Sequence, residues 1–130
     1  MKTVLIADDN PASCELLREA LATCGARILE AADGREALEQ IRRESPDLAL
    51  LDIQMPFLDG FAVVKAVRLL IPPSKTILIA ITALAMESDR QRITEAGFDG
   101  YISKPIWIAE LRKQINRLLS ADGKAEHAEI

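Results

Sequence analysis

Asp47 to Gly60, DLALLDIQMPFLDG, is the stretch whose reading decides the fold. Leu48 to Leu51 is too short for a helix and lies between Ser45-Pro46-Asp47 and Gln54-Met55-Pro56, so it reads as a strand buried on both faces, the kind found in parallel sheets. Asp52 then stands at the strand's carboxyl end. In open α/β sheets that edge is where ligands bind, which places an acid there for chemistry. Taken alone, Asp52 is better read as the start of a turn or the cap of the next helix, and it is the rest of the chain that shifts the balance.

Working outward, Asp59-Gly60 opens a helix with an inward face of Ala62, Val63, Val67 and Leu70, stopped by Pro72-Pro73. On the other side, Asp33 and Glu36 form a capping box for a helix that carries Ala37, Leu38, Ile41 and the stem of Arg42 to Glu44. Before it, Ala26 to Ala31 reads as a charged edge strand. Lys2 to Ala7 is a second buried strand, and it too finishes in acids, Asp8 and Asp9. Asn10 caps a helix begun by Pro11, with Leu16, Leu17, Ala20, Leu21 and Cys24 inward and Gly25 as its stop. Toward the C-terminus, Thr76 to Ile81 is an apolar strand ending on Thr82, and Met86 to Ala96 is a loosely anchored helix capped by Gly97. Asp99 to Ser103 is a short strand, and Lys104-Pro105 precedes a helix with the stripe Ile108, Leu111, Ile115 and Leu118. Ala121 to Ile130 is polar and aperiodic, a frayed tail or linker remnant after a domain of residues 1–120.

Strands alternating with helices imply a doubly wound α/β fold, a five-stranded parallel sheet with five helices on both faces. In the flavodoxin-like order 2-1-3-4-5, the first and third strands are neighbours at the switch point, which gathers Asp8, Asp9 and Asp52.

With 130 residues the chain fits one domain with a real core. A net charge of -4 offers no basic footprint for direct nucleic-acid binding. No apolar stretch reaches the roughly 20 residues of a membrane span, and the N-terminus is unlike a signal peptide, so a cytoplasmic protein is expected. Cys14 and Cys24, read as sharing one helix about 15 Å apart along its axis, are too distant for a disulfide and are expected to be free thiols.

Asp8, Asp9, Asp52, Thr82 and Lys104 thus follow the ends of the central strands on one sheet edge. Carboxylates held so close repel one another, and a divalent cation would keep them ionised. All-oxygen ligands at a wet position favour magnesium, with manganese as a substitute. A hydroxyl and an ammonium opposite complete a cradle for a phosphoryl group, and an Asp carboxylate can be its nucleophile.

These motifs together, Asp8-Asp9, LLDIQMPFLDG around Asp52, Thr82-Ala83 and Lys104-Pro105, resemble the receiver domain of two-component response regulators. The resemblance implies that Asp52 is the phosphoacceptor and that magnesium is held by Asp9, by Asp8 through water, by Asp52 and by the Gln54 carbonyl. It also implies that Thr82 and Lys104 contact the phosphoryl group, that Lys104 to Pro105 is a cis bond, and that Thr82 and Tyr101 form the switch. Without the resemblance, Tyr101 is an ordinary half-buried strand aromatic. The expected phosphodonor is a histidine kinase or histidine phosphotransfer protein. The downstream protein target would bind the face made by the fourth helix, fifth strand and fifth helix. The chain itself would catalyse only its own phosphorylation and dephosphorylation. Leu84 offers no polar group to orient a water, so slow self-dephosphorylation is expected.

Other classes fit less well. An aspartyl-phosphate phosphatase needs a second acid where Gln54 stands, and a flavin phosphate would be repelled by Asp8 and Asp9. A metal-free pseudo-receiver would lack some of Asp9, Asp52, Thr82 or Lys104. The receiver either stands alone or comes from a longer protein, such as a hybrid histidine kinase. Trp107 is open between core packing and a partner anchor, and His127 is read as a solvated tail residue.

Overall fold

The computed structural model of the chain describes residues 2–70, 74–83, 86–120 and 128–129. Pro72, Pro73, Leu84 and His127 lie outside the described residues, as does most of the tail. The elements alternate as β1 (Thr3–Ala7), α1 (Pro11–Leu21), β2 (Arg27–Ala31), α2 (Gly34–Glu44), β3 (Leu48–Asp52), α3 (Gly60–Arg68), β4 (Ile77–Thr82), α4 (Glu87–Ala96), β5 (Gly100–Ser103), α5 (Ile108–Ser120) and β6 (Ala128–Glu129). All strand pairs are parallel, in the order β2-β1-β3-β4-β5-β6. Its first five strands have the expected order 2-1-3-4-5. β6 is a correction to the reading of the tail: Ala128 and Glu129 pair with Gly100 and Tyr101. β5 would otherwise present an open edge of unpaired backbone groups there.

Every residue of β3 and β4 is buried, because helices cover both faces of the sheet. Period-two alternation divides the apolar runs between two cores. Val4, Ile6, Leu48, Leu50, Ile79 and Ile81 pack with Leu17 and Leu21 of α1 and Leu111, Ile115 and Leu118 of α5. Leu5, Ala7, Ala49, Leu51, Leu78 and Ala80 face α2, α3 and α4. That second side is rich in alanine, which leaves room for Ile41, Val63, Val64 and Val67.

Local readings of helix faces need correction in places. In α1 the buried stripe is Cys14, Leu17, Ala20 and Leu21, with Leu16 only half-buried, and Cys24 lies in the turn beyond the helix. Both cysteines are free. In α3, Val64 is buried and Ala62 half-buried. Arg42 is exposed and pairs with Glu39 on α2, so its stem adds nothing to the core. Asp33 does cap α2, accepting from the Glu36 N–H at 2.9 Å.

α4 has one buried residue, Ile93, as expected of a loosely anchored helix. Its C-terminal end is nevertheless tied. Arg68 of α3 donates to the Gly97 carbonyl at 3.0 and 2.6 Å and to Asp99 at 3.0 Å. Among the described residues no helix is long and apolar enough to cross a membrane.

Candidate functional site

Strand register builds the site. Ala7 of β1 pairs with Leu51 of β3, which sets Asp8 level with Asp52 just beyond. Asp52 pairs with Ile81, and Thr82 with Ser103, so Thr82 and Lys104 follow one step further along the same edge. Asp8, Asp52 and Thr82 are buried, whereas Asp9 and Gln54 are exposed. One oxygen from each of Asp8, Asp9 and Asp52 lies within 4.8 Å of the others.

The hydrogen bonds around these acids are unequal. Asp52 accepts from the Gln54 N–H through Oδ1 at 2.9 Å and from Lys104 Nζ through Oδ2 at 3.1 Å. Asp8 accepts from the Asn10 N–H through Oδ1 at 2.9 Å, while its buried Oδ2 has no hydrogen-bond partner. Lys104 Nζ stands 3.9 Å from that oxygen. Burial pushes the Asp8 carboxyl above the ordinary carboxylate range; the nearby Asp52 charge adds to the rise, and the Asn10 N–H and Lys104 oppose it.

An orphaned buried carboxylate oxygen facing two further carboxylates fits a hard divalent cation, which takes oxygen ligands and offsets the repulsion. The donor set suits magnesium better than a soft metal, since neither Cys14 nor Cys24 is among it. Among the described residues Lys104 is the cation paired with these acids, which leaves room for a further positive charge beside them.

The site thus joins Asp8, Asp9, Asp52 and Lys104, and places Gln54 and Thr82 on the same edge. The Lys104–Pro105 bond is cis. Tyr101 is half-buried in β5, with the Arg90 guanidinium 5.6 Å from its ring centroid. It borders a groove of about 640 Å³ lined by Arg90, Ile93, Phe98 and Arg117 among others. Trp107 is 73% exposed, which removes it from the core.

Three contacts at the site were not foreseen, the first being the Gln54 N–H bond to Asp52. The Asn10 N–H bond to Asp8 has a sequence signature, an Asp two residues before the amide it engages. The Cys14 thiol donates to the Asp8 carbonyl at 3.2 Å, and nothing in the spacing signalled it.

Comparison with known proteins agrees with this architecture. The sequence model of the response regulator receiver domain matches residues 4–116. The polar-differentiation response regulator DivK of Brucella anthropi is 36% identical over 91% of this chain and 96% of its own. The chemotaxis protein CheY4 of Vibrio cholerae superposes with a TM-score of 0.82 at 31% identity, over 90% of this chain and 98% of its own. The receiver domain of a sensor histidine kinase from Pseudomonas aeruginosa, solved with magnesium in its active-site cleft, gives a TM-score of 0.82 at 30% identity, covering 92% of this chain and 98% of that one. Because the family match takes in strands β2 to β5, nearly all of β1 and the acidic edge, the chain belongs to the response regulator receiver domain family, the phosphorylation-activated switches of two-component signalling.

Proposed function

We infer that Asp52 is the residue that accepts the phosphoryl group, from a phosphohistidine on a histidine kinase or histidine phosphotransfer protein. The observation that carries this is the Asp52 carboxylate, 6% exposed, with Lys104 Nζ at 3.1 Å on one oxygen and the unpartnered Asp8 oxygen beside it. Asp8, Asp9, Asp52 and the Gln54 carbonyl would hold magnesium. Bound there, magnesium supplies positive charge against the acids and the equatorial phosphoryl oxygens.

An Asp52 oxygen attacks phosphorus as the bond from phosphorus to the donor imidazole nitrogen breaks. The electron pair leaves with that nitrogen, the donor ring, protonated at its other nitrogen, departs as neutral imidazole, and an acyl phosphate remains on Asp52. Lys104 follows the incoming oxygens with its ammonium, and the Thr82 hydroxyl donates to one of them. Tyr101 then responds to the Thr82 shift, remodelling the α4-β5-α5 groove that a downstream protein reads. The chain turns over no free substrate; its chemistry acts on its own Asp52.

Intact mass after incubation with acetyl phosphate tests the reading. One phosphoryl group gained with magnesium, absent with EDTA and absent in Asp52→Asn, is the expected result. If that donor gives no gain, beryllofluoride with magnesium replaces it, and failure to bind that analogue as well would refute the assignment.

A further inference from the structure

The loop between β3 and α3 carries Gln54, and its shape sets where that main chain stands against the three carboxylates. That shape is not relaxed. Phe57 holds φ at +69°, a conformation unfavourable for a bulky residue, and the Leu58 N–H closes on the Pro56 carbonyl at 2.8 Å as a γ-turn. Such backbone persists only where its surroundings over-determine it. Gly60 secures one end, donating to the Ile53 carbonyl at 2.8 Å; a Cβ on Gly60 would stand 2.8 Å from the Ile53 Cα.

The rest of the grip comes from the first turn of α2. Gly34 packs so tightly that a Cβ there would overlap the Leu58 carbonyl oxygen and lie 2.6 Å from the Leu58 Cβ. Its N–H approaches the same Pro56 carbonyl, at 3.4 Å. The next residue, Arg35, lays its guanidinium 4.0 Å from the centroid of the Phe57 ring. One helical turn therefore holds the strained loop by backbone contact at Gly34 and by a cation over an aromatic face at Arg35.

We propose that Gly34 and Arg35 are positioning residues for the metal site, holding the β3–α3 loop in the shape that presents Gln54 beside Asp8, Asp9 and Asp52. This rests on the reading that these acids take magnesium. Neither residue touches the metal; both act through the loop.

Magnesium alone is the probe, titrated into the full chain and followed by the amide shifts of Asp9 and Gln54. Gly34→Ala is expected to weaken affinity by about tenfold or more, the usual cost of losing a group that orients a ligand. Arg35→Ala is expected to weaken it by about two- to fivefold, the worth of one exposed cation–π contact. Ile41→Val, in the buried stripe of the same helix two turns on, loosens α2 without this grip and should leave affinity unchanged. Should Gly34→Ala fail to fold, Arg35→Ala against Ile41→Val decides. Wild-type affinity in the folded Gly34 and Arg35 variants would overturn the proposal, as would an equal loss in Ile41→Val. A wild-type protein that shows no magnesium saturation would bring down the metal reading and this proposal together, a distinct result.

Discussion

Replacing Asp8 with Asn is expected to make the metal-free protein more stable. The change removes the attraction of Lys104 Nζ at 3.9 Å and the repulsion of Asp52, whose oxygen lies within 4.8 Å; Asp9, as near, is exposed and its charge is screened by solvent. At an effective dielectric of about 20 these are worth about 4 and about 3.5 kcal/mol, so they nearly cancel. What remains is the cost of burying a carboxylate with one oxygen unpartnered, about 1–2 kcal/mol. Burial is also the leading cause of the raised Asp8 pKa, so sign and cause agree. Asn keeps the acceptor for the Asn10 N–H, and its new amide group points a donor toward Asp52. For a domain of this length the gain corresponds to a Tm rise of about 3–6 °C. Thermal unfolding by circular dichroism near neutral pH, in EDTA and then in excess magnesium, measures it. Magnesium at a hundred times its Kd stabilises the wild type by about 2.7 kcal/mol, whereas Asp8→Asn loses a ligand, so the order of the two proteins should reverse. An Asp8→Asn protein no more stable than wild type in EDTA would refute the reasoning.

Lys104→Met removes the ammonium bonded to Asp52 and should slow phosphorylation by acetyl phosphate by about a hundredfold, read by intact mass over time. Burial and the Asp8 charge push the Cys14 thiol up, so iodoacetamide should label half-buried Cys24 first and reach Cys14 only on unfolding; equal labelling of the native protein would contradict this. Arg68→Met loses the bonds to Gly97 and Asp99 and should cost about 1 kcal/mol, with faster amide exchange along α4 by mass spectrometry. Arg18 holds the Glu30 carboxyl below its ordinary 4.5, so that pair's stabilisation is full above that pH and is lost as pH falls through the depressed value. Chemical denaturation of wild type against Glu30→Gln should therefore show a difference that closes on acidification.

How much was legible in the sequence depended on the kind of signal. β3 and β4 were readable because an unbroken apolar run between turn residues has few other uses, and their acid or hydroxyl ends fixed the site edge. Helix faces were less secure. In α3 the run Phe61-Ala62-Val63-Val64 offers apolar residues at every position, so periodicity could not choose Val64 over Ala62. Trp107 precedes the first residue of α5, where helical spacing does not apply, and it points to solvent. Phe57 at positive φ has no sequence mark, since glycine is the residue expected there. β6 follows from an open edge on β5 and not from anything in Ala128-Glu129 itself. Residue types named the members of the site, but only coordinates could reveal that the orphaned oxygen belongs to Asp8.

Hydrogen-bond accounting separates function from structure at the two edges of the sheet. At the edge where strands begin, the acids are consumed by the backbone. Asp47 accepts from the Thr3 N–H at 2.8 Å, and Asp99 accepts from the Leu78 N–H at 2.8 Å and from Arg68. The buried Thr76 hydroxyl donates to the Pro46 carbonyl at 2.7 Å. These groups are satisfied within the fold, and nothing further is needed to explain them. At the edge where strands end, Asp8 and Asp52 are more deeply buried than Asp47 and Asp99, yet they face one another and one oxygen is left over. A fold that aims backbone donors at Asp47 and Asp99 has the means to aim one at the second Asp8 oxygen. That it does not, and that a strained loop at Phe57 stands beside it, marks stability given up where a ligand is to be bound.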